Sequence, residues 1–318
     1  MHDDLEEMDP AQARHLREIA DSWATYGPAL KVWSALDGGM TWKSVHGAEY
    51  LCRYRQDPKT GKKRFSSLGR RSAETEKTYS DFIERRGSAK STVLVNRDRM
   101  TTAGRVAKAY GLARMPVAAA EILRALWLRS LGEGIAVFGG TALLAYELET
   151  KILAPAALER DERLILFRRR PDLPVDDIVG AYEAAVDAPA RLVKTKDRIV
   201  IRAPAAVPVE LWDRDAVLGQ VDDPDRIEVL EEGIAADCLT GLTVARDGQP
   251  VEFRTFDPRT YALMASVLGH DDDIWSRRAQ FAATLVRGYW PEPFDTRQAA
   301  AFPELCGGPE GGLGYRGP

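Results

Sequence analysis

An apolar run, Ile135-Ala136-Val137-Phe138, stops abruptly at Gly139-Gly140, and a helix-prone segment from Thr141 to Glu147 follows at once. The pattern predicts a strand, a tight turn and a helix in immediate succession. Two glycines let the backbone come close to a neighbour with no Cβ in the way. The helix start behind them offers free N–H groups and a positive dipole end, which suits an anion such as a phosphate. One reading is therefore a phosphate-cradling turn. The other is a strand-to-helix turn whose glycines only relieve crowding.

Acidic residues recur at intervals after this turn. Glu159-Arg160-Asp161-Glu162-Arg163 precedes the apolar run Leu164-Ile165-Leu166-Phe167. Further on, Val209-Glu210-Leu211-Trp212 is a second apolar run with an acid inside it. Glycine turn, acids at a strand start and an acid within a later strand form an ordered series. That order resembles the nucleotidyltransferase fold of the polymerase-β-like superfamily.

The resemblance narrows to a bacterial family of stand-alone nucleotidyltransferase-fold proteins. Gly139-Gly140-Thr141-Ala142-Leu143-Leu144-Ala145-Tyr146-Glu147 is similar to that family's Gly-Thr-Asn-Ala-Leu-Tyr-Ala-Tyr-Glu signature. Tyr50-Leu51-Cys52-Arg53 and Ser67-Leu68-Gly69-Arg70-Arg71-Ser72-Ala73-Glu74-Thr75-Glu76 resemble its N-terminal stretch. Gly248-Gln249-Pro250-Val251 and Asp257-Pro258-Arg259 resemble its C-terminal part. The likeness implies transfer of a nucleoside monophosphate from an NTP to an acceptor hydroxyl. It implies Mg²⁺, or Mn²⁺, held by hard oxygen ligands and bridging the substrate phosphates. On this chain Gly139, Gly140, Thr141 and Arg168 would hold the nucleotide. Asp161, Glu210 and Glu159 would hold the metal, and Asp161 and Glu210 would be the catalytic acids. The alternative is a degenerate member that binds a nucleotide or nucleic acid without chemistry.

The chain also departs from the family pattern. Where the family has Asp-Ile-Asp-Leu-Leu, the better register puts Asp161 at the first acid and Arg163 at the second. A cation at a ligand position repels a metal ion. The other register uses Glu159 and Asp161, which restores an acid-x-acid pair. The family's phosphate-touching lysines have no counterpart near Tyr261 or Ile274. Arg277 and Arg278 could replace them or lie on a solvated helix face.

Composition sets wider bounds. The 318 residues are 45% hydrophobic and 29% charged, which is ordinary for a globular chain. The net charge of −4 gives no global pull toward nucleic acid. No apolar run approaches the ~18 residues of a membrane span. Met1 to Glu7 is acidic, with no signal-peptide core, so a cytoplasmic location is expected. Cys52, Cys238 and Cys306 are too few and too scattered for a disulfide frame or a zinc site. His270 with Asp271, Asp272 and Asp273 reads as a solvated loop or a metal cluster.

The expected fold is α+β. A nucleotidyltransferase-like mixed sheet with helices occupies residues 113–256. A helical module with a basic hairpin precedes it over 1–112, and helices with a glycine-rich tail follow over 257–318. Helices are expected over 10–24, ended near Pro28, from Ser72 to Gly87, and over 89–112. Strands are expected over 49–55 and 63–68, forming the hairpin. That hairpin carries Arg53, Arg55, Lys59, Lys62, Lys63, Arg64, Arg70 and Arg71 with Tyr50, Tyr54 and Phe65 between them. Cations beside aromatics suit a nucleic acid at residues 53–71, or a solvated basic face. Arg168-Arg169-Arg170 would complement a triphosphate near Gly140, or leave the sheet into water. Glu147 and Glu149 read as surface or packing residues.

Overall fold

The computed structural model describes residues 5–56, 60–159, 161–195, 197–269 and 272–307. The turn residues Asp57 to Lys59, Arg160, and His270 and Asp271 of the metal-like loop lie outside the described residues, as does the chain after Gly307. The protein is α+β with a mixed sheet. It divides into two units, Glu18–Thr102 and Met1–Arg17 together with Ala103–Pro318. The sequence-based boundaries after 112 and 256 differ from this division. In particular, the last helices belong to the same unit as the main sheet.

The smaller unit holds strands β1 (Gly39–Val45), β2 (Ala48–Gln56) and β3 (Lys63–Arg70) in an antiparallel sheet of that order. The β2–β3 hairpin is the expected one; β1 joins it as a third strand that the sequence reading omitted. Helix Pro10–Ala35 runs through Pro28, and helix Ala73–Ala109 runs through Gly87. Both breaks were expected and neither occurs. An interior glycine costs only about 1 kcal/mol. Phe82, Ala89, Val93 and Met100, all buried, offset that on either side of Gly87.

The larger unit is built on strands β4 (Ala113–Met115), β5 (Ile135–Phe138), β6 (Leu164–Arg168), β7 (Arg191–Lys194), β8 (Arg198–Arg202), β9 (Val209–Trp212), β10 (Leu239–Ala245) and β11 (Pro250–Thr255). Their order across the eight-stranded sheet is β4-β10-β11-β5-β6-β9-β8-β7. β5 and β6 are antiparallel, and β6 and β9 are parallel with Ile165 opposite Glu210. Gly140 opens a helix, as the glycine pair after an apolar run predicts, and β6 and β9 are sheet neighbours, as the family resemblance implies. The helix is shorter than expected. It breaks into Gly140–Leu143 and Glu147–Thr150.

Strand alternation puts Phe138, Ile165, Glu210 and Trp212 on one face of the sheet. Helices Pro258–Leu268 and Asp273–Gly288 bring Tyr261 and Trp275 against Phe138, each ring 5.1 Å away. Asp257 caps the first of these through the Arg259 N–H, with Pro258 at the first helical position. Among the described residues, no helix is long and apolar enough to cross a membrane.

Candidate functional site

Phe138 ends β5, and Gly139 then takes φ 73°, ψ −160°, a conformation that side chains with a Cβ avoid. Its carbonyl accepts the Tyr261 hydroxyl at 2.9 Å. Burial raises the Tyr261 pKa, so the donor stays protonated. A Cβ on Gly140 would stand 2.3 Å from the Leu158 carbonyl oxygen and 2.6 Å from the Glu159 carbonyl carbon. The close approach that these glycines permit is made by the protein's own Leu158, Glu159 and Asp161.

Asp161 completes that approach. Its Oδ2 accepts the Gly140 N–H at 2.6 Å, and its Oδ1 accepts from Arg278 Nη2 at 2.6 Å. The helix start that would suit a phosphate thus receives a carboxylate from within the chain. Arg278 is only 2% exposed. It also donates from Nε to the Leu158 carbonyl at 2.9 Å and lies 5.0 Å over the Trp275 ring. This corrects the solvated-face reading of Arg278. Arg277, by contrast, is half-exposed and stands 3.9 Å from Asp273.

Arg163 sits at the position where the family-like pattern would have its second acid. Its Nη1 donates to Glu210 Oε1. The other Glu210 oxygen accepts from Arg198 Nη1 at 3.2 Å and from the Trp212 indole N–H at 3.1 Å. Burial works against the Arg198 charge, yet Asp197 and Glu210 together hold its pKa above the ordinary value. Asp161, Arg163, Arg198, Glu210, Trp212 and Trp275 line one cleft of ≈ 550 Å³.

Glu159 does not join them. It ends the short helix Ala156–Glu159 and stands 2.9 Å from Arg114 Nη2. Arg114 Nη1 is 2.5 Å from Glu147 Oε1, which also accepts the Ala154 N–H at 2.9 Å. Glu147 is therefore a buried ion-pair partner and no surface residue. Burial pushes its carboxyl up to about 7, against the pull of Arg114. Thr141 is buried and lines a second cleft of ≈ 460 Å³ with Arg114, Glu159, Arg163 and Arg246. The predicted metal ligands are thus divided: Asp161 lines both clefts, Glu210 lines only the first and Glu159 only the second.

Mg²⁺ does not fit this set. A hard cation needs carboxylates whose negative charge is not already neutralised by neighbouring cations. Both Asp161 oxygens and both Glu210 oxygens accept hydrogen bonds, three of the five from guanidiniums. Among the described residues, no group of three His, Cys, Asp or Glu side chains is placed to hold a metal ion.

Arg168 stands apart from the glycine turn. It pairs across the sheet with Ile135, so about four residues, or roughly 14 Å at ~3.4 Å per residue, separate it from Gly139 along β5. Its guanidinium reaches Asp213 at 3.4 Å. Arg169 caps the end of helix Pro224–Ala235 by donating to the Ile234, Ala235 and Ala236 carbonyls, and Arg170 pairs with Asp172 at 2.5 Å. The arginine run therefore does not complement a triphosphate at Gly140.

The sequence reading missed Arg114, Arg198 and Trp275 and misplaced Arg278. One signal was available for Arg278. It lies three residues after Trp275 and directly before Ala279, on the stripe that continues through Ala282 and Val286. No family model, no curated protein and no solved structure matches this chain.

Proposed function

We propose that the larger unit carries a nucleotidyltransferase-like core whose metal site has become a set of arginine–carboxylate pairs. The core then works as an anion-binding module, with nucleotide phosphates as the ligand class, and metal-assisted transfer is not its activity. One observation carries this reading: Arg163, at the second-acid position, donates to Glu210, the third acid. Neutralised carboxylates no longer attract a divalent cation. The partly exposed guanidiniums of Arg163 and Arg198 instead offer further N–H donors to the cleft, and such donors suit phosphate oxygens. The order β5, glycine turn, β6, β9 supports the fold component of the reading.

A second reading has one observation in its favour. Asp161 and Glu210 line the same cleft, as an NMP-transferring enzyme requires. Two measurements separate the readings. Radiolabelled NTPs with Mg²⁺ or Mn²⁺ are expected to give no labelled product with the wild-type chain. Equilibrium binding of the same NTPs in EDTA is expected to persist and to weaken at least tenfold in Arg163→Ala/Arg198→Ala. Metal-dependent transfer by the wild type would overturn the binding-module reading. Absence of metal-free NTP binding would also overturn it.

A further inference from the structure

The three-stranded sheet of the smaller unit has two unlike faces. Residues directly opposite each other in an antiparallel pair share a face. Trp42, Leu51 and Arg53 stand on the inner one. Leu51 is fully buried, Trp42 meets Tyr79 at 6.0 Å, and Arg53 lies 5.7 Å over the Phe82 ring. The outer face carries Lys43, Tyr50 and Arg70 in one row and Tyr54 with Phe65 in another, with Lys63 beside them. None of the three strands places a carboxylate on this face. Glu49, the one acid in these strands, lies on the inner face and pairs with Arg71.

Toward its end the β2–β3 ribbon exposes side chains on both faces. Arg55 and Arg64 are opposite each other on the inner-face side, Lys63 and Phe65 are on the other, and Lys62 precedes β3. This concentration of cations stands within a chain whose net charge is −4, so the attraction it exerts is local.

We propose that the β2–β3 ribbon docks into the major groove of double-helical DNA. Charge complementarity selects a polyphosphate partner, and two observations select the duplex. First, cations on both faces of a ribbon can reach both phosphate rims of a groove, whereas a single strand would engage one face. The B-form major groove is about 12 Å wide and admits a two-stranded ribbon, whereas the A-form groove of RNA is too deep and narrow. Second, the rings are not open stacking platforms. Lys43 Nζ lies 3.1 Å from the Phe65 ring centre and Lys63 Nζ lies 4.8 Å from that of Tyr54.

The test uses the full chain and fluorescence anisotropy with a mixed-sequence DNA duplex of about twenty base pairs, titrated over a range of salt. Single-stranded DNA and double-stranded RNA of equal length are measured in parallel. The wild type is expected to bind the duplex at low salt and to bind the other two at least tenfold more weakly. Lys62→Ala/Lys63→Ala/Arg64→Ala should weaken duplex binding at least tenfold. It should also lower the log–log salt slope by about 3, at ~0.9 for each phosphate no longer neutralised. These side chains are exposed, so the variant should keep the wild-type melting temperature. A matched removal of charge elsewhere, Arg214→Ala/Arg226→Ala/Arg297→Ala, should leave the slope unchanged. No duplex binding by the wild type at low salt would overturn the proposal. So would equal or tighter binding of single-stranded DNA, or an unchanged slope in the ribbon variant.

Discussion

Arg278 Nη2 lies 2.6 Å from Asp161 Oδ1, and Asp161 Oδ2 takes the Gly140 N–H at 2.6 Å. One buried cation therefore fixes the acid that fills the glycine turn. Arg278 is also held by the Leu158 carbonyl and stacked over Trp275. Removing one partner of such a pair leaves the other charge buried and uncompensated, a cost of about 3–5 kcal/mol. Arg278→Ala and Asp161→Ala should each lower the urea midpoint strongly. The double variant should cost less than the sum of the two, because neither charge is then left alone. Additive losses would show that the two residues act separately.

Glu210 has two guanidinium partners, and this redundancy is measurable. The Arg163 side chain is 43% exposed and that of Arg198 is 35% exposed, so either pair alone sits in partly solvated surroundings. Each single change to alanine should cost no more than about 1 kcal/mol. The double change leaves the buried carboxylate with only the Trp212 N–H and should cost on the order of 3 kcal/mol or more. Chemical denaturation of the four proteins checks the excess. Simple additivity would mean that water replaces both arginines without penalty.

Arg163→Asp tests the proposed loss of a metal site directly. It removes a cation from Glu210 and adds a carboxylate two residues along the chain from Asp161. Mn²⁺ affinity, read by calorimetry or electron paramagnetic resonance, should rise by at least tenfold over the wild type. No gain would mean that the Arg278–Asp161 pair, and not Arg163, keeps the metal out.

The two glycines should tolerate alanine poorly, for different reasons. At Gly140 a Cβ meets backbone, the Leu158 carbonyl, at 2.3 Å, and backbone cannot swing aside. At Gly139 the strain is conformational, from φ 73°, with Asp161 Oδ2 a further obstacle at 2.8 Å. Each substitution should destabilise by roughly 1–3 kcal/mol. A neutral Gly140→Ala would mean that Leu158 and Glu159 do not pack against the turn.

Local patterns in the sequence were enough for the strands β5, β6 and β9 and for the turn at Gly140, because an apolar run and a glycine pair act over a few residues. Asp223-Pro224 carries the same helix-start signal as Asp257-Pro258, so helix Pro224–Ala235 is written in the sequence as plainly. A breaker misled where burial outweighs it, as at Gly87 between the buried Phe82 and Ala89. The ion pairs were not legible. Arg278 and Asp161 are 117 residues apart, and Arg114 and Glu147 are 33 apart. Which cation meets which acid is decided by sheet order and helix placement. Neither leaves a trace in spacing along the chain.

Glu147 gives the protein a pH dependence whose sign follows from its burial. The folded state raises this carboxyl from 4.5 to about 7, while the unfolded chain leaves it near the ordinary value. Between those values the folded state binds more protons, so stability falls as pH rises through the window. The contribution is fully present below about 4.5 and fully lost above about 7. Other titrating groups obscure this in the wild type alone, so the comparison is with Glu147→Gln, which is neutral at every pH. The gap in unfolding free energy, wild type minus variant, should shrink or reverse by roughly 1–3 kcal/mol on going from pH 4.5 to pH 8. Arg114 sets the scale, since its ion pair opposes the shift. Arg114→Met should push the Glu147 pKa higher still and move the window upward. A gap that widens with rising pH would mean that the Arg114 pair outweighs burial and that Glu147 is ionised throughout.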